Sequence, residues 1–446
     1  MTGRRRRRTG EREADRRGLR GRERRRVCGC GVQAAKTSTR RKSRTAPRRN
    51  PELMEELVTE ILLLLPVKSL RRFESVCKAW RSIISDPIFI RAHLRHSASK
   101  WVQNPCFIIN PHTLDTVVPE EEECWPRTFS SHLRFYKCQL QCDYSPKNNV
   151  ATFLHAKDFN GEFNSLRYFK HCDGLVFAPT DTRLYVFNPA TRESITLPDG
   201  YQNSLRVGGQ GCCYCAGLGL DSSTGKYKVV QAFYRSVDPS TNMWTDMGME
   251  VFTIAGDNGG DWREIASDPP YPVERFQTAV TVNGFLFWRI AKRHPERLRA
   301  ILHLSLEEEE FGITRLPDSL DPSLDAFVLD VLYGRDLCLT ACTSETTLTI
   351  WTLPAVQEGL NSPWERRYSI EFESSMPCHT LSLPPFSNGI VLWRADTVYC
   401  YDPATSELTA LCELNHMRYQ GVRTWKNLFT FNFNPFTESL VRITSS

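Results

Sequence analysis

The chain has 446 residues, 41% of them hydrophobic, enough for about two or three domains with a sizeable core. Its net charge of +6 hides an imbalance: residues 1–49 carry 20 Lys and Arg against 4 Asp and Glu, a net of +16, which leaves −10 on the remainder. No apolar run approaches the roughly 18–20 residues that span a bilayer, and the N-terminus has no apolar h-region, so neither helical membrane insertion nor secretion is expected and a soluble, cytoplasmic or nuclear protein is.

In chain order, the first element is a basic tail. Arg4 to Arg8, Arg24 to Arg26 and the Arg40 to Arg49 region are blocks of like charge with almost no large apolar residues, which predicts disorder over residues 1–49. Nuclear import or contact with nucleic-acid phosphates is one reading of the tail, and a dispensable extension is the plainer one. It holds no aromatic residue on which a base can stack, and Glu11, Glu13, Asp15 and Glu23 break the acid-poor pattern of a transit peptide.

Residues 50–97 predict a small module of three helices. The first runs from about Glu55 to Leu65, with Leu57, Ile61 and Leu65 on one face and Val58, Leu62, Leu63 and Leu64 beside them, a stripe wider than one core contact needs. Pro66 stops it. Ser69 then offers an N-cap for a second helix in which Leu70, Phe73, Val76, Cys77, Trp80, Ile83 and Ile84 recur at helical spacing, with Cys77 on the buried side. Asp86 and Pro87 form a cap and N1 pair that opens a third helix towards His96. Three helices in some 45 residues sit near the lower size limit for a stable core, so the surplus of apolar surface implies a partner.

The order Leu53-x-Glu-Glu-Leu57-Val-x-Glu-Ile61-Leu62, then Leu65-Pro66-Val67-Lys68-Ser69-Leu70, Val76-Cys77-Lys78-x-Trp80-Arg81 and Ile84-Ser85-Asp86-Pro87, resembles an F-box of the large plant family. Met54 stands where that family usually has proline, and methionine can pack in the same apolar contact. The resemblance implies a Skp-type adaptor as partner and, through it, a cullin-based ubiquitin ligase. It implies adaptor contacts at Leu53, Leu57, Ile61, Leu62, Leu65, Pro66, Val67, Leu70, Val76, Cys77 and Trp80.

From Trp101 onward, short apolar and aromatic runs alternate with Gly, Pro, Asn and Asp, which predicts an all-β domain over residues 101–446. Strand signals appear at Gly174 to Phe177, Lys228 to Tyr234, Met249 to Ile254, Ala300 to Leu306, Phe327 to Leu332, Leu337 to Ala341, Leu348 to Leu353 and Gly389 to Trp393. Thr278 to Val282, Asn283-Gly284 and Phe285 to Ile290 predict a hairpin with a type I′ turn. Asn188-Pro189, Asp402-Pro403 and Asn434-Pro435 each follow a strand signal and predict three copies of one turn. So many short antiparallel strands favour radial repetition, a β-propeller of six to eight blades, with a stacked β-sandwich pair as the alternative. Val282-Asn283-Gly284-x-Leu286-Phe287-Trp288, Ile301-Leu302-x-Leu304 and Glu310-Phe311-x-Ile313-x-x-Leu316-Pro317 also resemble the F-box-associated domain of plant proteins. The whole is an α+β multidomain chain: tail, three-helix F-box, then propeller.

The sixteen cysteines are scattered without paired C-x2-C knuckles: Cys28-x-Cys30, Cys138-x3-Cys142 and Cys212-Cys213-x-Cys215 are the closest groupings, so reduced thiols and no metal are expected. No phosphate-binding loop, nucleophile elbow or H-E-x-x-H helix is present, and no catalytic residue or cofactor is predicted. Val207 to Gly211 is a glycine-rich loop, His93 and His96 are expected to be solvated, and Glu120 to Glu123 and Glu307 to Glu310 are expected to be charged turns. The leading reading is a non-catalytic substrate receptor, with an unknown target protein on the β domain and neither membrane nor nucleic acid as partner. A propeller enzyme or small-ligand binder is the alternative; it requires carboxylates or histidines converging at the central channel, which no sequence spacing predicts.

Overall fold

The computed structural model describes residues 54–115, 129–140, 150–166, 168–200, 215–238, 243–254, 260–274, 277–291, 298–321, 326–344, 346–354, 363–372, 378–383 and 389–444. The basic tail, Leu53, Cys28, Cys30, Cys142, Cys212, Cys213, Glu120 to Glu123 and Val207 to Gly211 lie outside these residues.

The helical module contains four helices: α1 (Glu55–Leu63), α2 (Val67–Phe73), α3 (Lys78–Ser85) and α4 (Pro87–Gln103). Pro66 ends α1 as expected, but it also occupies the N-cap of α2, so Ser69 lies inside that helix and caps nothing. The single second helix expected across Leu70 to Ile84 is two. At Cys77 the backbone is extended (φ −156°, ψ 165°), and its thiol accepts the Trp80 N–H at 3.4 Å as the N-cap of α3. Arg81 Nε donates to Glu74 O and Ser75 Oγ to Arg72 O, which satisfies carbonyls at the end of α2. Cys77 is therefore exposed rather than buried. Asp86 caps α4 through the Ile88 N–H at 2.7 Å, and α4 continues past His96 to Gln103, so the start expected for the β domain at Trp101 falls within a helix.

The β domain is a six-bladed propeller. Blade 1 contains β1 (Cys106–Thr113), β2 (His132–Gln139) and β3 (Val150–Asp158); blade 2 β4 (Lys170–Cys172), β5 (Leu175–Pro179), β6 (Leu184–Asn188) and β7 (Glu193–Thr196). Blade 3 is β8 (Ala216–Asp221), β9 (Lys226–Asp238), β10 (Met243–Thr253) and β11 (Arg263–Glu264); blade 4 β12 (Val280–Val282), β13 (Phe285–Arg289), β14 (Ala300–Ser305) and β15 (Phe311–Arg315). Blade 5 is β16 (Phe327–Leu332), β17 (Asp336–Ser344), β18 (Thr347–Leu353) and β19 (Glu365–Glu371); blade 6 β20 (His379–Ser382), β21 (Ile390–Arg394), β22 (Thr397–Asp402) and β23 (Glu407–Glu413). The ring closes when β25 (Leu428–Pro435) pairs antiparallel with β1, while the short β24 (Arg418–Tyr419) lies parallel on β3. One apolar core fills each gap between neighbouring blades, with Phe135 and Phe187 between blades 1 and 2 and Trp393 and Phe433 between blades 6 and 1.

Local signals explain the hairpins. Asn283 (φ 48°) and Gly284 (φ 82°) form the two-residue turn expected between β12 and β13, with Val282 opposite Phe285. Asn188 Oδ1 accepts the Ala190 and Thr191 N–H groups and Asp402 Oδ1 that of Ala404, so two of the three expected Asx-Pro turns join β6 to β7 and β22 to β23. The third is not a turn. Asn434 and Pro435 end β25 opposite Ile108 and Phe107, and proline is tolerated because β25 is at the sheet edge, with no outer neighbour awaiting its N–H. The acidic turn at Glu307 to Glu310 also does more than face solvent. Glu309 accepts from Lys228 Nζ at 2.9 Å, and Lys228 pairs with buried Asp221 at 2.8 Å, clamping blade 3 to blade 4.

Three histidines, His112 and His303 buried and His171 partly buried, make the propeller sensitive to acid. Burial drives His112 down to about 3, and its Nε2 accepts from Asn432 Nδ2 at 2.6 Å, a bond that only a neutral ring can receive. Burial likewise holds His171 and His303 at about 4. Their folded values lie below the unfolded value near 6.5, so the stability they contribute is present above about pH 6.5 and is lost as pH falls towards 4 and 3. Urea unfolding at pH 5 is expected to give a free energy below that at pH 7.5 by about 2 kcal/mol from His112 alone. Equal values at the two pH values would contradict this account.

Candidate functional site

Two regions carry features that folding alone does not require. The first is the outer face of the helical module. Leu62, Val67, Leu70, Ile84 and Phe89 are buried together with Leu440, which follows β25, so this face is spent on the chain's own propeller. Polar contacts reinforce the seat: Arg71 pairs with Glu74 at 3.1 Å and with Glu193 of β7 at 3.5 Å, and Arg442 donates to Ser85 Oγ at 2.7 Å. His93, expected to be solvated, is buried with its Nε2 2.9 Å from Leu65 O, and burial lowers its pKa.

The opposite face is bare. Met54, Leu57, Ile61 and Leu64 recur at intervals of three and four along one side of α1, and all are about half exposed or more. Val76 is 60% exposed in the turn between α2 and α3, and Pro66 and Cys77 are exposed nearby in sequence. Of the residues the F-box resemblance implies, Leu57, Ile61, Pro66, Val76 and Cys77 are thus at the surface, and Leu65 and Trp80 are half-buried, Trp80 packing edge-on against Phe73 at 5.2 Å. Leu62, Val67 and Leu70 are interior and act on any partner only through the helices they hold in place. Sequence reasoning did not place Met54, Leu64 and Ile88 among the contacts, although all three are exposed. The three- and four-residue spacing from Met54 to Leu64 was the available signal.

The second region is the propeller channel. Asp330 on β16 accepts from His379 Nδ1 of β20 at 2.8 Å and from the Thr380 N–H at 3.1 Å. Lys170 on β4, three blades away and so across the ring, reaches the same carboxylate at 3.4 Å. Burial alone raises the pKa of Asp330, but the charges of His379 and Lys170 outweigh it and hold the carboxyl below its ordinary value. His379 stacks on Trp393 at 4.9 Å. No local signal announces this convergence, because 160 residues separate Lys170 from Asp330 and only ring closure brings them together.

Among the described residues, no group of three His, Cys, Asp or Glu side chains is placed to hold a metal ion, and no helix is long and apolar enough to cross a membrane. The ten described cysteines are free thiols, and burial pushes Cys106 up to about 11 and Cys378 and Cys412 up to about 12, away from the thiolate form.

Comparison with known proteins agrees with both halves of the fold. Residues 52–92 match the F-box domain model, and residues 127–418 match that of the F-box associated beta propeller domain. Three similar proteins of Arabidopsis thaliana are an F-box protein (26% identical, covering 72% of this chain and 77% of the relative), an F-box/LRR-repeat protein (25%, 72% and 68%) and an F-box/kelch-repeat protein (26%, 72% and 77%). A chain from a crystallised nidogen/laminin complex aligns with a TM-score of 0.37 and 12% identity over 75% of this chain and 99% of its own, too loose a likeness to carry an argument. An F-box docked on a six-bladed ring, matched by family models over most of the folded chain, identifies it as a plant F-box protein with an F-box-associated β-propeller domain.

Proposed function

We propose that the chain is the substrate receptor of a Skp-cullin-F-box ubiquitin ligase, holding a Skp-type adaptor through its helices and a target protein through its propeller. The supporting observation is the division of the helical module into a face locked onto the propeller and a bare ridge of Met54, Leu57, Ile61 and Leu64. Half-exposed aliphatic side chains in a row along one helix favour a protein partner. Such a receptor makes and breaks no bond: it raises the local concentration of the target and orients its lysines towards the conjugating enzyme. The rigid seat suits that role, since Arg71, Arg442 and Leu440 fix the adaptor-facing helices to the ring that carries the target. Adaptor binding by a chain carrying Leu57→Asp and Ile61→Asp is the test.

A further inference from the structure

The channel holds more than receptor function requires. Beneath α4 lies a cavity of about 300 Å³, at the small end of the range for ligand sites. Leu94, Ala98 and Trp101, on one side of α4, line it together with Val280, Leu381 and Phe433 of the inner strands. At its polar end Lys170 makes, among the described residues, two long hydrogen bonds, 3.4 Å to Asp330 and 3.5 Å to Leu329 O, for an ammonium with three donors. With His379 Nδ1 turned to Asp330, its Nε2 makes no hydrogen bond among the described residues. Lys170 and His379 retain 22% and 25% side-chain exposure, so the cavity opens to solvent.

We propose that this cavity binds a small organic monocarboxylate with a flat apolar body, its carboxylate on Lys170 and its body against Leu94 and Ala98 of α4. Lys170 inside and Arg95 at the rim stand beside two carboxylates, Asp330, engaged by His379 and Thr380, and Asp173, engaged by the Tyr227 hydroxyl at 2.9 Å. Both carboxylates are thus engaged within the chain, and the donors left for a ligand, on Lys170 and Arg95, favour a monoanion. A phosphate dianion fits less well, because Asp330 repels the second charge and the lining offers one ammonium without a bidentate guanidinium beside it. Because α4 forms the roof, the occupant touches the helical module and the ring together. The inference is independent of adaptor docking and stands or falls apart from it.

Cinnamate and its uncharged analogue cinnamamide, nearly equal in size, test it by calorimetric titration of the full chain. Wild-type protein is expected to bind cinnamate saturably and at least about tenfold more tightly than cinnamamide, the ratio set by one charge-assisted hydrogen bond. Lys170→Met is expected to bring the two affinities to within about twofold, and Ala98→Trp, which fills the cavity from an exposed helix position, to abolish binding of both. Should Lys170→Met fail to fold, as circular dichroism would show, Arg95→Gln at the rim is expected to narrow the ratio instead. No saturable cinnamate binding up to about 10 mM, equal affinity for acid and amide, or binding that survives Ala98→Trp would overturn the proposal.

Discussion

Replacing Leu57 and Ile61 together by aspartate is expected to weaken binding to a Skp-type adaptor by more than about a hundredfold while leaving thermal unfolding nearly unchanged. Burying one large aliphatic side chain is worth about 1.5–3 kcal/mol, so losing two removes at least about 3 kcal/mol, or two decades of affinity. A carboxylate carried into the same contact costs more still. In the free chain both residues are about half exposed, 49% and 51%, and the core beneath them is built from Leu62, Val67 and Leu70, so stability is expected to move by less than about 0.5 kcal/mol. Affinity and melting temperature measured on the same preparations separate loss of docking from loss of folding. Unchanged affinity would remove the ridge from the adaptor interface.

The second large effect concerns ring closure. Phe433 on β25 is fully buried, stacks on Phe107 of β1 at 4.9 Å and lies 6.0 Å from Trp393 of blade 6. It touches both blades joined by the last strand. Truncation to alanine is expected to cost about 3–5 kcal/mol, a large part of the roughly 5–15 kcal/mol that typically separates folded from unfolded domains. Ile313→Ala, at a 39% exposed position on an outer strand, is expected to cost less than about 1 kcal/mol. Denaturant unfolding of both variants checks the contrast, and comparable losses would mean that the closing strand is not where the ring is most sensitive.

Much of the fold was legible because its signals are local. Asn283-Gly284 dictates positive φ at two successive residues, which only one kind of hairpin uses, and Pro66 cannot continue α1. Where the sequence misled, a local signal met a tertiary fact. Leu70 to Ile84 keeps helical spacing through Val76 and Cys77 without a glycine or proline, so the break that exposes both was invisible until the Cys77 cap and the Arg81 bond to Glu74 were seen. Asn434-Pro435 has the same composition as the Asx-Pro turns, yet its place on the edge of a ring-closing sheet makes it strand. His93 has ordinary polar surroundings in sequence, and only the fold of α4 back over α1 brings Leu65 O to its ring. The adaptor face was readable as a surplus of apolar residues, but which of them face inward depended on the propeller segment around Leu440. The channel cluster of Lys170, Asp330 and His379 was unreadable, since its members come from three blades.

Joining an adaptor to a target is the central claim, and the ubiquitin load on proteins captured by the propeller tests it most directly. Wild-type and Leu57→Asp/Ile61→Asp chains are expressed in cells with the proteasome inhibited, and each is recovered with its bound proteins. The account predicts the same captured proteins in both, with ubiquitin conjugates on them falling several-fold in the variant. Equal ubiquitin load on the captured proteins in both would contradict it.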